Sequence, residues 1–137
     1  MKVNKCGALS LLGGYCTLSA HKLQNVVAGL PTHTQVRVES TFHFIDAWAG
    51  ESSYMRVSLT DDHGELAYVW TDSFDFTTSK NERNICGGEV AEARFAVPID
   101  VSFPHTDSAV KVEFGSTLGQ DPCYASWGIS TFRVSVR

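Results

Sequence analysis

The stretch QVRVESTFHF, residues 35–44, decides the fold class of this chain. Its apolar residues Val36, Val38, Phe42 and Phe44 fall on even positions, while Gln35, Arg37, Glu39, Thr41 and His43 take the odd ones. Side chains on an extended strand alternate between its two faces, so this period of two describes a half-buried β-strand. The pattern returns along the chain. Met55, Val57 and Leu59 repeat it, with Arg56 and Ser58 facing away. The turn TDDHGEL follows, and Leu66, Tyr68 and Trp70 begin the return strand of a hairpin. Phe95, Val97, Ile99, Val101 and Phe103 alternate around Pro98, Val110, Val112 and Phe114 form another strand, and Phe132, Val134 and Val136 another. Proline donates no ladder hydrogen bond, which places the Pro98 strand at a sheet edge or a bulge.

With the runs Leu9–Leu12 and Leu23–Val27, about eight strands are expected, and no stretch keeps a helical period. Many short strands separated by turn-rich segments predict an all-β, two-sheet antiparallel sandwich of jelly-roll or immunoglobulin-like type. Residues 1–137 read as one domain, and SKNERNICGGE, residues 79–89, as its longest polar loop.

The net charge of −4, without a basic block, argues against a nucleic-acid partner. No apolar run approaches the roughly 20 residues of a membrane span, and the start MKVNKCGALSLLGGYC, broken by Gly13 and Gly14, does not read as a signal peptide. Gly13-Gly14 also lacks the downstream Gly-Lys-Ser/Thr or Gly-x-Gly-x-x-Gly of a phosphate loop, so it reads as a bend or bulge. Cys6, Cys16, Cys86 and Cys123 include no CxxC and have no zinc-ligand spacing. An even number, widely spaced, suits two disulfides in an oxidising compartment, in any of three pairings, with four free thiols as the alternative.

Catalytic signals are weak throughout. His21, His33, His43, His63 and His105 form no HxH, HxxxH or HExxH array, and no GxSxG elbow is present. No catalytic residue, metal site or cofactor is assigned, and the chain is not expected to be an enzyme. Two segments, FIDAWAGESS and PCYASWGIS, set a tryptophan and a glycine beside a strand end. If exposed, Trp48, Trp70, Tyr124 and Trp127 are the rings on which a sugar would stack; tryptophans beside sheet ends otherwise serve as core lids.

LLGGY, GLPTH, FHFIDAW, ICGG and SWGI occur in an order that resembles a β-sandwich module of surface and secreted proteins of ciliates and other protists, with looser relatives among bacterial exported proteins. That module runs LGGY, LPxH, IDSWD, ICG and DESWGI, and the resemblance spans residues 6 to 136. It implies an extracellular or cell-surface building block, and the pairings Cys6–Cys86 and Cys16–Cys123. Where the module carries acids, this chain has Ala49 after Trp48, and Tyr124 and Ala125 before Ser126, which removes oxygen ligands that a cation would need. The reading that follows is a non-catalytic structural or adhesive module. Its partners would be other copies of itself or other extracellular proteins, as in a coat or filament, joined through the Pro98 strand and the terminal segments. The rival reading is a carbohydrate-binding module with glycan partners.

Overall fold

The computed structural model describes residues 3–6, 9–14, 17–46, 48–58, 66–75, 96–119, 121–122 and 125–137; for residues 3–6, 9–11, 46, 74 and 75 it describes only the backbone. Among the described residues nine strands are formed: β1 (Val3–Cys6), β2 (Leu9–Gly13), β3 (Leu23–Val27), β4 (Gln35–Asp46), β5 (Ala49–Ser58), β6 (Leu66–Asp75), β7 (Val97–Pro104), β8 (Val110–Ser116) and β9 (Ala125–Val136). They make a five-stranded sheet, β1-β2-β9-β4-β7, and a four-stranded sheet, β3-β8-β5-β6.

The pairings nest. β5 pairs with β6, β4 with β7, β3 with β8 and β2 with β9, all antiparallel. A long hairpin with its tip at β5–β6 has therefore been rolled up, and the pairs β4·β9 and β5·β8 close the two sheets. This is the jelly roll, and it decides between the two sandwich types expected from the sequence. β1 is an additional edge strand. β7 lies at the opposite edge, with Pro98 exposed where no partner strand requires its missing donor.

From Val36 to Phe44 the even-numbered residues of β4 face inward as their alternation requires. Val36, Val38, Phe42 and Phe44 are buried and pack against Met55, Val57, Val112 and Phe114 of the other sheet. Phe42 stacks on Trp127 at 5.1 Å, and Phe44 meets Trp48 edge-on at 4.8 Å. The odd face departs from expectation. His43 and Ile45 are buried too, so the far end of β4 is covered on both sides, and His43 Nε2 lies 2.6 Å from the Ser130 hydroxyl. Opposite, β9 skips Thr131, at φ 55°, between the partners of Ser40 and Thr41, which re-aims the strand midway.

Gly13 and Gly14 take φ of 86° and 94°, and the Gly14 amide donates to Trp127 O at 2.9 Å. They form the bend read from the sequence. A Cβ on Gly13 would overlap the Leu18 side chain, so the bend also lets the following segment close over the core. Cys16, Cys86 and Cys123, and with them both disulfide pairings, lie outside the described residues, as do Tyr124 and the 79–89 loop.

Candidate functional site

The tryptophans expected to meet a sugar are divided by the fold. Trp48 and Trp127 have no solvent exposure. The Trp48 indole N–H donates to Ser126 O at 2.8 Å, and that of Trp127 to Ser19 O at 3.0 Å. Their rings fill the space between the sheets and their polar atoms are satisfied there, so neither can receive a ligand. Trp127 is the third residue of β9, at the start of that strand. Trp70 is half-buried against the core, 5.6 Å from Phe42.

An aromatic platform exists elsewhere, on the outer face of the four-stranded sheet. In β5, Met55 and Val57 point inward, which turns Tyr54 and Arg56 outward. In β6 the register slips by one: Met55 pairs with Trp70, but Arg56 pairs with Tyr68. Val69 is the extra residue of this β-bulge, and it sends Trp70 inward and Tyr68 outward although the two are separated by two positions. Tyr68 is consequently 62% exposed, and its ring meets Tyr54 edge-on at 5.4 Å. Plain alternation puts Tyr68 and Trp70 on one face, which is how the sequence reading missed this site.

The neighbouring strand completes it. Glu113 of β8 pairs with Arg56 across the sheet, and its side chain is fully buried. Arg56 Nε and Nη2 donate to Glu113 Oε2 at 2.9 and 2.5 Å, and Lys22 Nζ stands 3.6 Å from Oε1. The guanidinium lies 5.4 Å from the centre of each tyrosine ring. Burial works against the Arg56 charge, but the hydrogen bond and charge of Glu113 outweigh it and hold the guanidinium above its ordinary value. Burial, then the Glu113 carboxylate, push the Tyr54 phenol up as well, so it keeps its proton and can donate a hydrogen bond.

Two other features compete for attention. A groove of about 470 Å³ on the outer face of the five-stranded sheet is lined by Gln35, Arg37, Asp100, Ser102, Ser135 and Arg137. Arg37 reaches Asp100 through both Nε and Nη2, at 2.8 and 2.6 Å, so its guanidinium is already committed, and no aromatic ring lines the groove. At one end of the sandwich, His33 Nε2 lies 2.8 Å from His105 Nδ1, with the rings within 9° of parallel. The sequence spacing of 72 residues gave no hint of this pair. Because His33 Nδ1 faces Pro31 O at 2.6 Å, it must donate there, and a single hydrogen bond joins its Nε2 to His105 Nδ1. Both rings are buried, so the pair clips the loop before β4 to the residue after β7. Among the described residues no three His, Cys, Asp or Glu side chains are grouped to hold a metal ion.

No protein-family model matches the chain, and no curated protein does. Among solved structures, the chain is similar to one described as "EclA C-terminal domain; sugar-binding protein", at 10% identity and a TM-score of 0.53, over 89% of this chain and 70% of that one. It is also similar to TmCBM61, solved in complex with β-1,4-galactotriose, at 13% identity and a TM-score of 0.47, over 85% of this chain and 62% of that one. At these identities the first likeness shows the fold, a β-sandwich.

Proposed function

We propose that this chain is a non-catalytic, extracellular glycan-binding module whose ligand lies on Tyr54 and Tyr68. The observation that carries the reading is the outward pair of tyrosines flanking a buried Arg56–Glu113 ion pair. A pyranose has one largely apolar C–H face, and a tyrosine ring fixed on a sheet is a rigid surface for it. The ion pair holds Arg56 between the rings and so limits their movement, and the Tyr54 hydroxyl supplies a donor for a sugar oxygen. The similar solved structure described as a sugar-binding protein agrees with this reading.

The coat or filament reading has less behind it. Its chief candidate edge, β7, exposes Pro98, which interrupts the donors that a neighbouring copy would pair with.

The test is glycan-array binding followed by calorimetry on Tyr68→Ala and Tyr54→Ala. Each is expected to weaken glycan binding by about tenfold or more, as removal of a central aromatic contact does, with the β-sheet circular dichroism unchanged. Wild-type affinity in both variants would overturn the assignment of the site.

A further inference from the structure

We infer that the ligand of the tyrosine platform is an acidic glycan, one carrying carboxylate or sulfate groups; this rests on the glycan-binding reading above. The chain as a whole is acidic, at −4, yet the described outward side chains of this face are not. Among the described side chains turned outward on or beside its four strands, the charged ones are Lys22, Arg56, Lys111 and Glu113. Among these described side chains three cations face one anion, and two of the three lie against it. Glu113 has no exposed surface: Arg56 donates to Oε2, and Oε1, without a hydrogen bond of its own, lies 3.6 Å from Lys22 Nζ, so its charge is offset by two cations and it is out of reach of a sugar hydroxyl.

Both lysines keep contact with solvent, Lys111 being partly exposed. The Lys22 side chain is 53% exposed, and its 3.6 Å approach to Glu113 leaves ammonium donors pointing to solvent. Lys111 is two residues from Glu113 on the same strand, hence on the same face and about 7 Å along it. The sheet order β3-β8-β5-β6 sets the lysines on one side and Tyr68 on the other, with Tyr54 and Arg56 between. An oligosaccharide laid across the strands would stack on Tyr68 and bring its acidic groups over Lys22 and Lys111. Solvated ammonium groups attract such charges modestly and in a salt-dependent way, which fixes what should be seen.

The experiment prints neutral, uronate-containing and sulfated oligosaccharides side by side. The tightest acidic ligand and its carboxyl-reduced or desulfated counterpart are then compared by calorimetry at about 0.02 M and about 0.5 M salt. The expected result is binding concentrated on acidic glycans, with the acid about fivefold tighter than its neutral counterpart at low salt and the gap closing at high salt. The uronate and sulfate arms show which acid is read. Lys22→Gln combined with Lys111→Gln should abolish the preference and keep the residual binding, whereas Tyr68→Ala should remove both. Binding confined to neutral glycans and lost in Tyr68→Ala overturns the acidic ligand while leaving the sugar site standing. No bound glycan of any class overturns both.

Discussion

The ring of Tyr54 lies across the backbone of β8 at Gly115, where any side chain on residue 115 would stand: a Cβ there would overlap its Cζ and Oη. Gly115 pairs with Tyr54 across the sheet, so the glycine is what lets the ring lie flat rather than project. The consequence is a shallow surface with one flattened ring beside one exposed ring.

Gly115→Ala should therefore push the Tyr54 ring off the sheet. Glycan affinity is expected to fall several-fold, while stability changes by no more than about 1 kcal/mol, since a better strand residue offsets part of the crowding. Calorimetry and urea unfolding of the same variant separate the two effects.

Glu113→Leu removes the carboxylate that holds Arg56 and Lys22. A guanidinium left without its partner destabilises strongly; because Arg56 keeps 22% of its side chain in solvent, the cost should be about 2–3 kcal/mol, below that of a fully enclosed pair. Urea unfolding measures it, and adding Arg56→Leu should recover much of the loss.

The Tyr54 phenol is raised above its ordinary 10.0, mainly by burial. The unfolded chain loses this proton first as pH rises, so the stability that Tyr54 contributes is intact below pH 10 and is lost as pH climbs through the folded value. Ultraviolet titration of wild type against Tyr54→Phe should show one tyrosine ionising late, and it should be the one missing from the variant.

On the opposite sheet, the Asp100 carboxyl is held below its ordinary value, chiefly by its hydrogen bond with Arg37. Its contribution to stability is present above the ordinary carboxylate range and lost as pH falls through the lowered value. Carboxyl NMR should find Asp100 titrating low, and Arg37→Gln should return it to normal. Both side chains are about half exposed, so glycan binding across the sandwich should not change.

Trp127→Ala tests the core assignment. Deleting this buried ring should cost about 3–5 kcal/mol, with lowered thermal stability rather than selective loss of binding. Selective loss in a fully stable variant would contradict its burial.

The strands were legible because alternation is a local property. Val36 through Phe44 announce their own faces, and Pro98 announces an edge that β7 occupies. The platform was not legible, because it depends on one unpaired residue. Val69 shifts the phase of β6 between Tyr68 and Trp70, and only the pairing of β6 with β5 reveals that shift. The tryptophans misled for a related reason. A ring near a turn has the same sequence signature whether the chain beyond it covers the ring or leaves it open, and for Trp48 and Trp127 the other sheet and the segment around Ser19 cover it. His33 and His105 meet only because the rolled hairpin brings the two loops to one end of the sandwich.

By itself, then, the sequence determined an antiparallel sandwich, the apolar inward positions of β4, β5, β7 and β8, and the bend at Gly13-Gly14, since hydrophobic period and glycine conformation act over a few residues. Tertiary structure alone decided that the sandwich is a jelly roll, that Trp48 and Trp127 are core, and that Tyr54, Tyr68, Arg56 and Glu113 form one surface. Those outcomes depend on register between strands far apart in the chain, where a single bulge reverses which side chain meets solvent.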